Sequence, residues 1–144
     1  DYFLFDIGED SIIICRDSNG EVRAMHNICR HRGARVCEEA SGNRRAFVCP
    51  YHGWGYGTDG SLKAARDMHV MEGFKPEDYS LKQLKLVVFQ GMIFINCDPK
   101  APDFVKPLSN ISAQLGAYDL ENAKVAQARY TVNVRLCMYI KHVE

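Results

Sequence analysis

The first two thirds of the chain have the alternating apolar and polar positions that are typical of antiparallel β-strands. Residues 11–16 form a β-branched run, the turn-forming residues 17–20 follow, and residues 21–28 return as a second run. Residues 17–20 end in Asn-Gly, whose tolerance of positive φ suits the tight turn of a hairpin. A second hairpin is predicted around the turn pair Asp59-Gly60.

Two further strands are predicted in the most apolar part of the chain. Residues 81–90 and 92–96 are rich in Leu, Val, Ile and Phe and are separated by a glycine. We expect them to be core strands, because continuous apolar runs of this length are typical of buried β-structure. Near the end of the chain, residues 129–141 alternate almost without interruption and predict one long, half-buried strand.

A change of pattern after residue 98 predicts a linker. Three prolines interrupt strand pairing, and Leu108, Ile111 and Leu115 then recur at helical spacing. We expect this connection to contain one short helix. The pattern as a whole therefore predicts an all-β, antiparallel fold followed by a linker helix and a trailing strand.

Composition and charge exclude several classes of function. The 144 residues carry 18 basic and 18 acidic side chains, so the chain has no basic surplus for nucleic acid or anionic lipid. Its longest apolar runs are far shorter than the roughly 20 residues of a membrane helix. We therefore expect a soluble, cytoplasmic protein without a nucleic-acid or membrane partner. Both ends resemble cuts from a longer protein, because no initiator methionine is present and the chain stops inside a periodic run.

The six cysteines permit disulfides, but no secretory signal is recognisable, which favours metal ligands or free thiols. Cys15, Cys97 and Cys137 lie in apolar, strand-like stretches, where we expect buried free thiols that behave as small hydrophobes. Cys37 is expected to be a free thiol in a surface hairpin, with a fifth metal ligand or a disulfide partner as alternatives.

The remaining two cysteines form short pairs with histidines. Cys29 and His31 are separated by one residue, and after seventeen further residues Cys49 and His52 are separated by two. Two thiolates and two imidazoles make a four-ligand metal site. Such a set holds either one tetrahedral zinc ion or a two-iron, two-sulfide cluster, with the cysteines on one iron and the histidines on the other. The number of ligands does not distinguish the two.

The spacing favours the cluster over zinc. Zinc fingers of the common type present two cysteines from one turn and two histidines from one helix. Here each predicted loop carries one ligand of each kind, so each loop reaches both irons of a cluster. Glycines around both pairs suit tight loops whose backbone N–H groups approach sulfides closely.

The flanking residues extend the motif to Cys29-Arg30-His31-Arg32-Gly33 and Cys49-Pro50-Tyr51-His52-Gly53-Trp54. This pattern is similar to that of the N-terminal Rieske 2Fe-2S domain in the large, alpha subunit of ring-hydroxylating and related Rieske non-haem iron oxygenases. The resemblance implies an antiparallel, all-β Rieske-type fold with a small cluster-binding subdomain of two loops. It also implies that residues 1–100 are the Rieske domain and that residues 101–144 are a linker and the truncated start of a catalytic domain.

The resemblance carries expectations for residues beside the ligands. Arg32 is expected to donate a hydrogen bond toward the cluster or a carbonyl, and Trp54 to exclude solvent; the alternatives are an ordinary surface charge and an ordinary core residue. Respiratory Rieske proteins have two additional cysteines and a serine at positions that here hold Ala34, Tyr51 and Trp54. The loss of the serine hydrogen bond implies a reduction potential near the low end of the Rieske range, about −150 mV. His26 is expected to pack or to make a structural hydrogen bond, and His69 to be exposed.

The resemblance implies electron transfer as the role of this domain. A ferredoxin or flavin reductase would supply NAD(P)H-derived electrons. These would pass to a mononuclear Fe(II), held by two histidines and a carboxylate in the parent protein only. That iron would drive O2-dependent hydroxylation or demethylation of an aromatic or quaternary-amine substrate, in a homo-oligomer expected to be a trimer. Two alternatives remain open, a stand-alone Rieske ferredoxin and a zinc-stabilised binding module.

Overall fold

The structure is a computed structural model that describes residues 1–124. The strand predicted at 129–141, and Cys137 with it, lie outside the described residues. The strands within them are β1 (Tyr2–Ile7), β2 (Asp10–Arg16), β3 (Val22–His26), β4 (Ser41–Gly42), β5 (Ala46–Val48), β6 (Gly55–Gly57), β7 (Leu62–Ala64), β8 (Lys85–Phe89) and β9 (Met92–Asn96). Every strand pair is antiparallel, which confirms the predicted all-β class.

The first sheet has the order β3-β2-β1-β4, and its hairpin of β2 and β3 is the one that the Asn-Gly turn predicted. Strand β2 is buried on both faces, which explains its continuous β-branched run. Ile13 packs into the core that also contains Cys29 and Cys49. Ile12 and Ile14 face a second, smaller core. Strand β2 is therefore the wall between two apolar clusters.

The second sheet, β5-β6-β7, is built from strands of only three residues each. Its β6–β7 turn is the predicted Asp59-Gly60 turn, in which the Asp59 carboxylate accepts hydrogen bonds from the backbone N–H and the hydroxyl of Ser61. Phe47 and Tyr56 are direct cross-strand partners and are fully buried. These two rings anchor the small sheet to the core that surrounds the two cysteines.

Strands β8 and β9 form a separate two-stranded sheet. Both were predicted as core strands, and that part of the prediction is wrong: Val88 is 49% exposed and Ile93 is 37% exposed. A two-stranded ribbon buries one face at most, and the buried leucines of this region, Leu81 and Leu84, precede β8. A backbone bridge between Met25 and Gln83 joins this segment to β3.

The linker contains two short helices rather than one, α1 (Val105–Ser109) and α2 (Ser112–Leu115). Short 3-10 helices lie at Met68–Val70, Pro76–Tyr79, Gly116–Tyr118 and Leu120–Asn122. Of the predicted apolar stripe, Leu108 is buried, whereas Ile111 is exposed. No helix within residues 1–124 has the length and apolarity needed to cross a membrane.

The cysteines outside the two Cys/His pairs have different surroundings. Cys15 is buried as predicted, and burial raises the pKa of its thiol to about 11. Cys37 is free, but its predicted place at the surface is wrong, because it is buried in the core and burial raises its thiol pKa to about 11. Cys97 was predicted to be buried and is exposed, because it lies just after β9 on the thinly covered ribbon.

The turn between β2 and β3 predicts a measurable acid sensitivity. Burial alone would raise the Asp17 pKa, but hydrogen bonds from Arg23 and from the backbone of Glu21 and Asn19 outweigh it, so the pKa is lowered. The stabilisation is therefore complete above the unfolded pKa of about 3.9 and is lost as pH falls through the lower folded value. We expect Asp17→Asn to lower the melting temperature at pH 7 and to reduce its fall between pH 5 and pH 3. The exposed Asp78→Asn is the control, and an equal effect of both variants would contradict the prediction.

Candidate metal centre

The predicted ligands lie on two loops that are closed by the same pair of backbone hydrogen bonds. In the first loop the N–H of Cys29 donates to the Ala34 carbonyl at 2.8 Å, and the Cys29 carbonyl accepts from Gly33 N–H at 3.0 Å. The second loop repeats both bonds at the same distances, between Cys49 and the residues four and five positions later. The two cysteines therefore occupy equivalent places in two matching turns.

Each turn requires a glycine. Gly33 and Gly53 have φ values of +76° and +72°, a conformation that costs an L-residue roughly 1–2 kcal/mol. This explains why a glycine follows each Cys/His pair in the sequence.

The loops bring like ligands together. The Cys29 and Cys49 side chains are 3% and 2% exposed and are not joined in a disulfide. Burial and the adjacent Cys29 thiol raise the pKa of the Cys49 thiol, while the backbone N–H groups of Tyr51 and His52 act on it in the opposite direction. The rings of His31 and His52 meet edge to face with their centroids 4.6 Å apart. The two thiols thus form one pair and the two imidazoles another.

One imidazole nitrogen, His31 Nδ1, is unpaired among the described residues, as expected for a metal ligand. His31 Nδ1 is buried and has no hydrogen-bond partner. Partial burial, followed by the neighbouring charges of His52 and Arg32, lowers the pKa of the His31 imidazole. A neutral ring with a free lone pair is the form in which histidine binds a metal.

The division of the four donors into a thiol pair and an imidazole pair is the division that a two-iron cluster uses. Within residues 1–124, no group of three or more Cys, His, Asp or Glu side chains is placed to hold a single metal ion. A tetrahedral zinc would require all four donors around one centre at about 2.0–2.3 Å. A Rieske cluster divides its ligands instead, with two cysteines on one iron and two histidines on the other. The donor set therefore fits such a cluster.

Aromatic rings surround the imidazoles. Trp54 is buried and stacks on His31, with the ring centroids 4.8 Å apart and the ring planes within 8° of each other. It therefore covers one face of the imidazole, as its predicted role in excluding solvent requires. Tyr51 is 60% exposed and leans on the exposed His52 ring at 3.8 Å. Arg32 is exposed beside His31, and its predicted hydrogen bond to a carbonyl or to the cluster stays a prediction.

A contact to one cysteine was missed in the sequence. The Tyr56 hydroxyl lies 3.2 Å from Cys29 Sγ and accepts the N–H of Arg30 at 3.0 Å, which leaves its own proton for the sulfur. Burial raises the Tyr56 pKa, so the hydroxyl stays protonated. The sequence feature that could have indicated this contact is the position of Tyr56 as a single aromatic residue between two glycines. The expectation of a reduction potential near the low end of the Rieske range did not include this hydrogen bond. A hydrogen bond to the sulfur stabilises the reduced, more negative site and therefore raises the potential.

Two further histidines, His26 and His69, fall within the described residues. His26 is half-buried at the end of β3, and its Nδ1 is buried without a hydrogen-bond partner, so the predicted hydrogen bond is not seen at that atom. His69 is in the 3-10 helix Met68–Val70, and its exposure stays a prediction.

Comparison with known proteins identifies the family. Residues 1–84 match the family described as the Rieske [2Fe-2S] domain. The chain belongs to this family. The chain is 39% identical over 104 residues to the biphenyl 2,3-dioxygenase alpha subunit of Rhodococcus jostii, covering 72% of this chain and 23% of that protein. It is 36% identical over 125 residues to the glycine betaine monooxygenase oxygenase subunit of Pseudomonas aeruginosa, covering 87% of this chain and 29% of that protein.

Solved structures show the same relationship. The apo form of the quaternary ammonium Rieske monooxygenase CntA is 30% identical, with a TM-score of 0.81, over 88% of this chain and 38% of that one. Naphthalene 1,2-dioxygenase from Rhodococcus sp. is 38% identical, with a TM-score of 0.73, over 79% of this chain and 27% of that one. The predicted Rieske-type fold and the resemblance to oxygenase large subunits are confirmed. The chain spans about a quarter of the length of these curated relatives.

The glycine turns give a test of the loop geometry. We expect Gly53→Ala to cost about 1–2 kcal/mol of stability through backbone strain and to lower the iron content of the purified Rieske domain. Gly73→Ala is the matched control, because Gly73 has a φ of +76° and open space around it but lies outside both loops. Iron content and melting temperature are measured together. Equal iron loss in both variants would count against a specific role of the turn.

The Tyr56 hydroxyl gives a test of the sulfur hydrogen bond. We expect Tyr56→Phe to lower the reduction potential by about 30–60 mV, because one hydrogen bond to a more negative sulfur is lost. Potentiometry followed by electron paramagnetic resonance (EPR) measures the shift. Tyr79→Phe is the control, since Tyr79 packs in the same aromatic group against Trp54. An unchanged potential in Tyr56→Phe would refute the role of this contact.

Proposed function

We propose that Cys29, His31, Cys49 and His52 bind a Rieske-type 2Fe-2S cluster, the cysteines on one iron and the histidines on the other. The observation that carries this proposal is the pairing of buried thiols beside facing imidazoles, one of which has a buried, unpartnered nitrogen. When bound, the cluster supplies a one-electron carrier. In this proposal Trp54 shields His31 from water, and Tyr56 holds its proton at the Cys29 sulfur.

We infer that this carrier serves an oxygenase. The monooxygenase and dioxygenase relatives support this role, and several of them align well beyond the Rieske match. Residues 1–100 would be the Rieske domain, and residues 101–144 a linker and the start of a catalytic domain. A mononuclear Fe(II) in that further domain would activate O2 for hydroxylation or demethylation. Names among the relatives support an aromatic or quaternary-amine substrate.

The exposed side of the site suits exchange of electrons with other proteins. His52 and Tyr51 are both exposed, which leaves one edge of the imidazole pair within reach of a partner. A ferredoxin or flavin reductase would deliver electrons that originate from NAD(P)H, and the whole subunit would assemble as a homotrimer. A stand-alone Rieske ferredoxin is the alternative. The continuing gene separates the two, since the oxygenase requires two histidines and a carboxylate in the next 250 or so residues, about one further large domain.

Metal analysis tests the cluster directly. The protein is purified without air, iron, zinc and sulfide are quantified, and EPR spectra are recorded after reduction. We expect two iron ions and two sulfides per chain. If zinc is the bound metal and no EPR signal appears, both the proposed cluster and the proposed oxygenase role are wrong.

Replacement of one imidazole tests the ligand assignment. We expect His52→Cys to retain a cluster, because thiolate also binds iron, but to lower its potential, since an anionic ligand disfavours the reduced state. The variant should also lose the part of the pH dependence of the potential that the His52 ring contributes. Potentiometry between pH 6 and pH 10 measures both effects. An unchanged pH response would contradict the assignment of His52.

A further inference from the structure

The second ligand loop is held by its own sheet. Strands β5 and β6 flank it directly, and Val48 pairs with Gly55 at the point where the loop begins and ends. The bond from Cys49 N–H to the Trp54 carbonyl continues this ladder into the loop. The loop is thus the closed end of a hairpin, and strand pairing holds its two ends together.

The first ligand loop has no such support. It leaves β3 after His26, but both edges of β3 are already occupied there. Ile12 of β2 pairs with His26 on one side, and the His26 N–H donates to the Lys82 carbonyl at 2.9 Å on the other. The chain that returns from the loop, residues 34–37, therefore cannot add to β3 as a strand.

One side chain makes the bonds that a neighbouring strand would make. Asn27 is fully buried, and its Oδ1 accepts the N–H of Val36 at 3.0 Å and the N–H of Cys37 at 2.8 Å. Its Nδ2 donates to the Cys37 carbonyl at 2.7 Å and to Ser11 Oγ at 3.2 Å. A side-chain amide carries the same carbonyl and N–H groups as a peptide unit, so Asn27 replaces a missing strand.

We propose that Asn27 is the positioning residue of the first ligand loop and sets the places of Cys29 and His31 at the cluster. It lies two residues before Cys29 and ties the start of the loop to its return at Cys37. Asn27 itself does not touch the metal; it acts through the loop. This inference rests on the proposed function, because it assumes the cluster.

Removal of the amide tests the proposal on the full chain. Asn27→Leu keeps a similar size but leaves the N–H groups of Val36 and Cys37 buried and unpaired. We expect the rate of iron release to a chelator, followed by visible absorbance, to rise about 10–100-fold, by analogy with the loss of metal affinity when partners behind metal ligands are removed. In the remaining reduced protein, the nitrogen hyperfine coupling of one histidine should change while that of the other stays fixed.

Two further variants separate positioning from general stability. Asn27→Asp keeps the acceptor for the N–H groups of Val36 and Cys37 but loses the donor to the Cys37 carbonyl. Its rate of iron release should therefore lie between those of the wild type and Asn27→Leu. This variant replaces Asn27→Leu in the test if the leucine variant does not fold. Ile13→Val removes one buried methyl group from the same core and lowers stability, but it leaves the hydrogen bonds that Asn27 makes to Val36 and Cys37 in place. Ser11→Ala removes the Asn27 contact that faces away from the loop.

The outcomes are distinct. Faster iron release with one altered histidine coupling in the Asn27 variants, and neither change in Ile13→Val or Ser11→Ala, supports the proposal. If Ile13→Val at an equal loss of melting temperature releases iron as fast, or if both histidine couplings move together, Asn27 has only a structural role and the proposal fails. A wild-type protein without a Rieske EPR signal would instead overturn the proposed function.

Discussion

The site depends on holding two thiols side by side in a buried core. The hydrogen bonds that close the turns after Cys29 and Cys49 satisfy the backbone at each loop and direct both side chains inward. Two glycines with positive φ make those turns possible. The buried rings of Phe47, Trp54 and Tyr56 then fill the space around the thiols. The strands of the small sheets hold these two turns in place.

Much of this could be predicted from the sequence because the signals are local. The Asn-Gly turn predicts the first hairpin and Asp59-Gly60 predicts the second, as the structure confirms. The spacing of Cys and His predicts the ligand set. Each of these depends on residues a few positions apart, where turn chemistry is decisive.

Features that depend on distant packing could not be predicted. The run at 81–90 has the composition of a core strand, yet burial depends on how many layers cover it, and the ribbon of β8 and β9 is covered thinly within the described residues. The surface position predicted for Cys37 is wrong because Asn27, ten residues earlier, hydrogen-bonds to the Cys37 backbone and holds it in the core. The Tyr56 contact to Cys29 joins residues 27 positions apart, and no periodicity reports such a pair. The ligand assignment itself stays a prediction that the geometry supports.

The burial of two spare thiols has a consequence for how the protein acquires iron. Burial raises the pKa of both thiols to about 11, so Cys15 and Cys37 are protonated at neutral pH. Thiolate is the form that binds metal or attacks a disulfide. In the folded chain, desolvation therefore disfavours Cys15 and Cys37 as competing sulfur donors beside Cys29 and Cys49.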